Sequence, residues 1–370
     1  MKIIFIITGM GIGGAEKQLS LLASKMSSRG HNVLIISLSA NIEVDIDSNI
    51  GIEVLDMNKN PLSLICALSK ASRIINKFKP DIVHSHMFHA NIFARILRVF
   101  NPFPVLISTS HSTFEGGKLR MLAYRITQNI PDISTNVSPD AVAAFIKKKA
   151  ASSGKMITVY NGIDTDKFRY SLISRNELRK EWSIDSETKI ILSVGRLVVS
   201  KDYPNLIKAY KYLIQKNLLK SNSKLVIVGS GPLESSLKKL VDSYELKNHV
   251  LFLGARNDIE KIFSTADLFV LASQWEGFGL VVAEAMACER IVVATNSGGV
   301  KNVIGRFGSL VPIKKPVMLA EAISDIFKMS DEERCIQASD GRQWIENAFS
   351  IEKIVDEWIN IYKKQIEKSN

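Results

Sequence analysis

The stretch Ile3-Ile4-Phe5-Ile6-Ile7-Thr8-Gly9-Met10-Gly11-Ile12-Gly13-Gly14-Ala15-Glu16 opens on a short unbroken apolar run and passes straight into glycines. A run without polar alternation is the pattern of a strand buried on both faces. It falls far short of the ~18 residues a membrane span requires. It also lacks the longer apolar core and cleavage site of a signal peptide. Glycine lets the chain turn sharply, and a helix starting at the end of such a turn offers unbonded N–H groups to a phosphate. Gly9, Gly11 and Gly14 have the G-x-G-x-x-G spacing of dinucleotide sites. Two uses stay open for these glycines: tight strand-to-helix packing, or direct contact with a phosphate.

Outward from this stretch the same rhythm recurs. Over the first half, apolar runs stand at Ile3–Thr8, Asn32–Leu38, Ile52–Leu55, Ile82–His84, Val105–Ser110 and Ile133–Asn136. Over the second half they stand at Ile157–Tyr160, Ile190–Val194, Lys224–Val228, Val250–Leu253, Leu268–Leu271 and Arg290–Ala294. Helical stretches separate them, which predicts βαβ units and parallel sheets. The rhythm runs twice, and 370 residues suit two α/β cores better than one. We expect two doubly wound domains, residues 1–163 and 164–350, with the break at Asn161-Gly162-Ile163-Asp164. A helix over about 351–367, bearing Trp358 and Tyr362, is expected to pack back on the first. Ligands of open parallel sheets bind beyond the carboxyl ends of the strands, so two such domains facing each other would make a cleft.

The net charge of +11 is uneven: residues 1–163 hold 18 Lys/Arg against 10 Asp/Glu, and the remainder 30 against 27. An anionic partner is therefore expected to meet the first half. Residues 90–160 combine Arg95, Arg98, Lys118, Arg120, Arg125, Lys147, Lys148, Lys149 and Lys155 with Phe93, Phe100, Phe103, Met121 and Tyr124, and carry only Glu115, Asp132 and Asp140 as acids. Basic and aromatic residues together suit an anionic bilayer surface. A solvated basic face over core aromatics is the competing reading. No nucleic-acid module is recognisable. Cys66, Cys288 and Cys335 have neither metal nor disulfide spacing and read as reduced thiols.

Chemistry-bearing residues concentrate over 195–300. Arg196 and Lys201 follow a strand end in Gly195-Arg196-Leu197, where two cations suit a diphosphate leaving group; two solvated surface charges are the plainer alternative. Val228-Gly229-Ser230-Gly231-Pro232 ends another strand, and Asn257-Asp258-Ile259 offers a backbone ledge for a nucleobase. In Glu276-Gly277-Phe278-Gly279-Leu280-Val281-Val282-Ala283-Glu284, a helix beginning near Gly279 leaves Glu276 in the loop and Glu284 inside the helix. The backbone N–H groups of Gly279, Leu280 and Val281 then suit a phosphate, and the two carboxylates suit sugar or ribose hydroxyls. Glu284 stands among small apolar residues, so its carboxylate needs a partner, either ligand or neighbouring turn.

The ordered set Gly195-Arg196-Leu197…Lys201-Asp202, Val228-Gly229-x-Gly231-Pro232, Glu276-Gly277-Phe278-Gly279…Glu284-Ala285 and Ser297-Gly298-Gly299 resembles glycosyltransferase family 4. The first half joins it with Gly13-Gly14-Ala15-Glu16, Pro80-Asp81-Ile82-Val83-His84 and Ser108-Thr109-Ser110-His111. The resemblance implies the GT-B architecture of two Rossmann-like domains. It implies transfer from a nucleotide-sugar donor, with a UDP-sugar expected for this chain, to a glycan or lipid-linked acceptor, with retention at the anomeric carbon and no bound metal or other cofactor. Carried over, it assigns Arg196 and Lys201 to the donor diphosphate and Glu284 to the ribose. Glu276, with the backbone of Gly277 and Phe278, takes the donor sugar. Gly14 approaches the phosphate, and His111 lies near the reacting sugar. The chain departs from the family at Lys301-Asn302, where Pro-Glu is usual.

His84, His86 and His89 lie close together, but no acid or Cys accompanies them, so a loop lining the acceptor site is preferred to a metal site. His111 taken alone reads equally as packing or catalysis. Two other functional classes stay open. A nicotinamide-dependent sugar-nucleotide enzyme would want an acid at the tip of strand two, where Leu38-Ser39-Ala40 stands and Glu43 and Asp45 come later. The other is a catalytically silent binding module.

Overall fold

The structure is a computed structural model describing residues 1–58, 60–113, 115–219 and 222–369. The chain divides into two compact units: Met1–Gly162 together with the chain from Ile351 onward, and Ile163–Ser350.

The first unit is a parallel sheet of β1 (Lys2–Ile7), β2 (Asn32–Ser37), β3 (Gly51–Val54), β4 (Ile82–His86), β5 (Val105–Ser110), β6 (Ile133–Asn136) and β7 (Met156–Thr158), in the order β3-β2-β1-β4-β5-β6-β7. The run Ile157–Tyr160, counted above with the second half, thus supplies the edge of the first sheet. The second unit holds β8 (Lys189–Val194), β9 (Ser223–Val228), β10 (Val250–Phe252), β11 (Leu268–Leu271), β12 (Val292–Thr295) and β13 (Ser309–Val311), in the order β10-β9-β8-β11-β12-β13. Strand β13 escaped the sequence reading because it is a three-residue edge with only Val311 buried.

The unbroken apolar run of β1 is explained by two cores. Ile4 and Ile6 pack with Ala67, Ala71 and Ile75 of the helix Pro61–Phe78 and with Ala90 and Phe93 of the helix Phe88–Phe100. Ile3, Phe5 and Ile7 face the other way, onto Leu19, Leu22 and Met26 of the helix Gly14–Ser28 and onto Ile354, Val355, Trp358 and Tyr362 of the C-terminal helix Ile351–Ser369. The C-terminal helix therefore belongs to the first unit. Lys25 and Arg29 tie it down through ion pairs to Glu352 and Asp356. Each fully buried Ile, Leu or Phe contributes roughly 1.5–3 kcal/mol, so this two-sided burial outweighs any local propensity.

In both sheets the strand order reverses direction beside the first strand, between β1 and β4 and between β8 and β11. A crevice opens at such a switch point, beyond the carboxyl ends of the strands. The residues singled out from the sequence lie at these ends.

Candidate donor and acceptor sites

In the second unit the loop after β8 turns at Gly195 and runs through the 3-10 turn Val199–Lys201. Glycine is required along it. A Cβ on Gly229 (φ +135°) would lie 2.0 Å from the Gly195 carbonyl oxygen, and one on Gly231 would lie 2.6 Å from that of Leu197. The two loops are that close because the Leu197 N–H donates to the Ser230 carbonyl at 2.9 Å. The loop after β11 joins them: the Gln274 N–H donates to the Ser200 carbonyl at 2.8 Å.

That clamp brings Lys201 and Glu276 together. Lys201 Nζ donates to Glu276 Oε1 at 2.5 Å, and Ser273 Oγ donates to the same oxygen at 2.7 Å. Both side chains are largely shielded, 19% and 13% exposed, so their attraction is stronger than that of a surface pair. The sequence had assigned these two residues to different parts of a ligand; in the structure they hold each other. Arg196 is exposed. Gly279 takes the left-handed conformation (φ +95°) and begins the helix Leu280–Ala287, leaving Glu276 and Gly277 in the loop and the half-buried Glu284 on the helix. Phe278 is 2% exposed and packs edge-on against Phe349, so its side chain is core and only its backbone can serve a ligand. Ile259 begins the helix Ile259–Thr265, and the turn before it is held by Arg256, which bonds both Asp258 and Glu181. Trp275, beside Glu276 and 46% exposed, is a site neighbour the sequence reading did not single out.

In the first unit the glycine loop is pinned by the Met10 N–H, which donates to the Asn41 carbonyl at 2.9 Å. A Cβ on Gly9 would meet Ser39 Oγ at 2.5 Å, and one on Gly13 would meet Glu16 Oε2 at 2.3 Å. Both contacts are with the ends of side chains that can turn away, so packing alone does not account for these glycines. The Glu16 carboxylate lies over the start of the helix Gly14–Ser28, where an anion approaching Gly14 would meet it.

His84 and His86 alternate with Val83 and Ser85 along β4, so both project to the side of Phe5 and the C-terminal helix. His84 is wedged between Tyr362 Oη (2.7 Å from Nδ1) and Thr109 Oγ1 (2.6 Å from Nε2). Its ring centroid lies 4.1 Å from that of His86, and His86 Nδ1 lies 3.0 Å from His111 Nε2. His84 and His86 are thus interior groups engaged with neighbours, not members of an open loop. Burial pushes both well below the ordinary imidazole value, with nearby imidazoles adding to the effect. Burial pushes His111 to about 4. The loop beyond His111 adds Glu115, which accepts from the His111 N–H at 3.2 Å and from Tyr124 Oη at 2.6 Å. Burial raises the Glu115 carboxyl, against the lowering effect of those hydrogen bonds. Only the bare composition of this loop pointed to Glu115; its partner Tyr124 stands nine residues on.

Two Asp-x-Asp spacings occur, Asp45/Asp47 and Asp164/Asp166. Asp47 is occupied by Ser24 and Asn49, and Asp164 by the N–H of Lys167. Among the described residues no three His, Cys, Asp or Glu side chains converge as a metal site.

Residues 12–167 match the family model for Glycosyltransferase Family 4, and residues 174–348 match that for Glycosyl transferases group 1. The chain belongs to glycosyltransferase family 4. This family-4 chain is 25% identical over 373 residues to the N-acetyl-alpha-D-glucosaminyl L-malate synthase of Bacillus anthracis, covering 96% of this chain and 94% of that one. It is 29% identical over 303 residues to the UDP-Gal:alpha-D-GlcNAc-diphosphoundecaprenol alpha-1,3-galactosyltransferase of Escherichia coli, covering 78% and 77%. Its fold matches Anabaena HepE, solved in complex with UDP, with a TM-score of 0.85 at 21% identity over 98% of this chain and all of that one. The two sheets are thus those of the GT-B architecture, and the family-4 chain is a glycosyltransferase of the hexosyltransferase type.

Proposed function

We propose that the protein is a retaining, metal-independent transferase that moves a sugar from a UDP-sugar to a polyprenyl-diphosphate-linked saccharide, on the cytoplasmic face of a membrane, in surface polysaccharide assembly. The observation that carries the donor half is the Lys201–Glu276 pair at the second switch point, beside the start of the helix Leu280–Ala287. A nucleoside diphosphate offers this site two anionic groups. Lys201 and Arg196 would take the diphosphate, helped by the unbonded N–H groups of the helix start. Glu276 and the Gly277–Phe278 backbone would take the sugar, Glu284 the ribose, and the turns at Gly229 and Ile259 would border the base. On the first unit, Gly14 would offer its backbone N–H to an anion and His111 its ring to a sugar. The acceptor hydroxyl oxygen bonds to the anomeric carbon on the face from which the diphosphate leaves. The carbon–oxygen bond to phosphate breaks, and the hydroxyl proton passes to the departing phosphate oxygen. The developing charge falls where the cations stand.

The acceptor half rests on the helix Lys118–Thr127. Met121 and Tyr124 are buried, whereas Leu119 and Ile126 are 82% and 73% exposed and alternate with exposed Lys118, Leu122 and Arg125. This corrects the composition argument. Phe93, Phe103, Met121 and Tyr124 are core residues; Arg95 is buried, and Arg98 pairs with Asp132. Among the described residues of this segment, aliphatic side chains and Phe100 make the apolar surface. An apolar face rimmed by cations suits an anionic bilayer. Among the described residues no helix is long and apolar enough to cross one. A second reading, a small soluble hydroxyl acceptor, is favoured by the malate synthase relative.

Thermal unfolding with UDP, GDP, UDP-sugars and NAD tests the donor. UDP at 100 times its dissociation constant adds about 2.7 kcal/mol of stability, and Lys201→Ala abolishes the shift. A shift with NAD alone overturns the reading. Turnover of UDP-sugar with a polyprenyl-diphosphate-linked saccharide, against L-malate, separates the acceptors; binding without turnover of either leaves a silent module.

A further inference from the structure

Strand β5 ends at Ser110, and its pairing with β6 ends there too. The next backbone N–H, that of His111, finds no strand carbonyl, and an N–H partly withdrawn from water still needs a partner. Glu115 supplies one from four residues on: the His111 N–H donates to Glu115 Oε1 at 3.2 Å. The other carboxylate oxygen is also taken, because Tyr124 Oη donates to Glu115 Oε2 at 2.6 Å. Tyr124 has one hydroxyl hydrogen, so its remaining bonds are accepted ones, from Asn91 Nδ2 at 3.0 Å and Ser110 Oγ at 3.3 Å. Asn91 in turn accepts from Ser85 Oγ at 2.7 Å. The bonds therefore run in one direction, from Ser85 on β4 through Asn91 and Tyr124, and end on the Glu115 carboxylate. Only an ionised carboxyl offers acceptors alone, so no amide or hydroxyl could end the chain in the same way. Positive charge stands nearby: Arg120 donates to the Glu115 carbonyl at 3.0 Å, and the Arg95 guanidinium lies 4.9 Å from the Tyr124 ring centroid. Just beyond Glu115 the chain turns back at Gly116, in the left-handed region at φ +103°, and enters the helix that carries Tyr124.

We propose that Glu115 is a positioning residue: its carboxylate anchors the His111 backbone to the helix Lys118–Thr127 and so fixes where the His111 ring stands at the end of β5. The ring itself is held from the other side, His86 Nδ1 lying 3.0 Å from His111 Nε2. Backbone and ring are thus held by different elements. A buried carboxylate is costly unless hydrogen bonds compensate it, and the two that do so here are the two that hold this loop. The inference rests on the reading of His111 as a site residue only for its functional consequence; the anchor is a property of the free protein.

The test begins with NMR of the full chain labelled with ¹⁵N-histidine, each of the six histidines being assigned by substitution. The His111 backbone amide is expected to exchange slowly with solvent in the wild type. Glu115→Ala is expected to speed that exchange by at least ~10-fold, the scale of a lost bond to a charged acceptor. Glu115→Gln keeps the size but offers one acceptor oxygen to two donors, and is expected to speed it less. A His111 amide that exchanges at one rate in all three chains overturns the proposal. Kinetics then read the consequence, in turnover of the UDP-sugar with the polyprenyl-diphosphate-linked saccharide. Glu115→Ala is expected to lower kcat roughly 10–100-fold, as misplacement of a site group does, with the KM for donor little changed. In a His111→Ala chain the same substitution is expected to cause no further loss. Losses that add, or a change in KM alone, overturn the proposal as well. A His111→Ala chain as fast as wild type removes the reading of His111 as a site residue, and the exchange rates still decide the anchor.

Discussion

Lys201 and Glu276 show at the residue scale what side-chain type leaves undecided, namely the partner. Each was assigned from the sequence to a separate portion of a ligand, yet they neutralise one another at 2.5 Å. On the proposed reading a donor diphosphate has to compete with Glu276 for Lys201, and the pair keeps the ammonium aimed. In the free protein a double-mutant cycle of Lys201→Ala and Glu276→Ala should give a coupling of about 1–2 kcal/mol in urea unfolding. A coupling near zero would show that the pair does not hold in solution. Glu276→Gln keeps a hydrogen-bonding group but not the charge. We expect it to lower transfer by at least ~100-fold, the scale on which removal of one preorganised polar group is felt.

The three buried imidazoles give stability a pH dependence of definite sign. Each binds its proton less readily in the folded chain, His111 only at about 4 against an ordinary 6.5. Their contribution is intact above the unfolded value and is lost as pH falls from 6.5 toward the folded value, at about 1.4 kcal/mol per pH unit for each group. Glu115 acts in the opposite sense: its raised folded value contributes stability at low pH that is lost as pH rises through it. One carboxyl does not offset three imidazoles, so urea midpoints should drop steeply between pH 6.5 and 4.5. The slope should ease by about one proton in His86→Asn. A flat profile would mean that the cluster already opens to water in the native chain.

At the scale of elements, the helices Lys118–Thr127 and Ile351–Ser369 make opposite predictions. The former carries exposed Leu119, Leu122 and Ile126, which contribute nothing to the core. Their joint replacement by Gln should leave the melting temperature almost unchanged, as for surface sites generally, while abolishing retention on anionic vesicles at low salt. Loss of stability without loss of retention would assign the helix to packing. In the C-terminal helix, Trp358 is 4% exposed and its ring lies 4.5 Å from that of His84. Trp358→Ala should cost about 3–5 kcal/mol and, by loosening the support of His84, should broaden the His86 and His111 imidazole signals. The periodicity of this segment was plain from its sequence. Its return to the first unit was already expected from the sequence; the contacts it makes there, Trp358 against His84 and Tyr362 on His84 Nδ1, come from the structure.

At the scale of the molecule, the donor site is proposed to lie on the unit Ile163–Ser350, and the partition offers a clean test. Of the four tryptophans, Trp182, Trp275 and Trp344 lie in that unit and Trp358 in the other. With the first three changed to Phe, Trp358 fluorescence reports only on the first unit, and far-ultraviolet dichroism reports on both. UDP should raise the transition seen by dichroism and leave the Trp358 midpoint in place. A UDP-dependent shift of the Trp358 midpoint alone would move the donor site to the first unit.

Much of this architecture was legible beforehand because it is written in local signals. Unbroken Ile/Val/Leu runs mark strands buried on both faces, glycines mark the turns at their ends, and Gly279 marks the start of the helix bearing Glu284. The edge strand β13 left almost no trace, since an edge buries too little to constrain composition. What the sequence determined was the kind of chemistry and its address: cations, carboxylates and an imidazole at the carboxyl ends of parallel strands. Tertiary structure alone decided the pairings, Lys201 with Glu276, His86 with His111 and Tyr362 with His84, which join residues 75, 25 and 278 positions apart. The physical reason is that a side chain's partner is set by strand order and by which helix covers which face, and neither is encoded within the reach of a local sequence window.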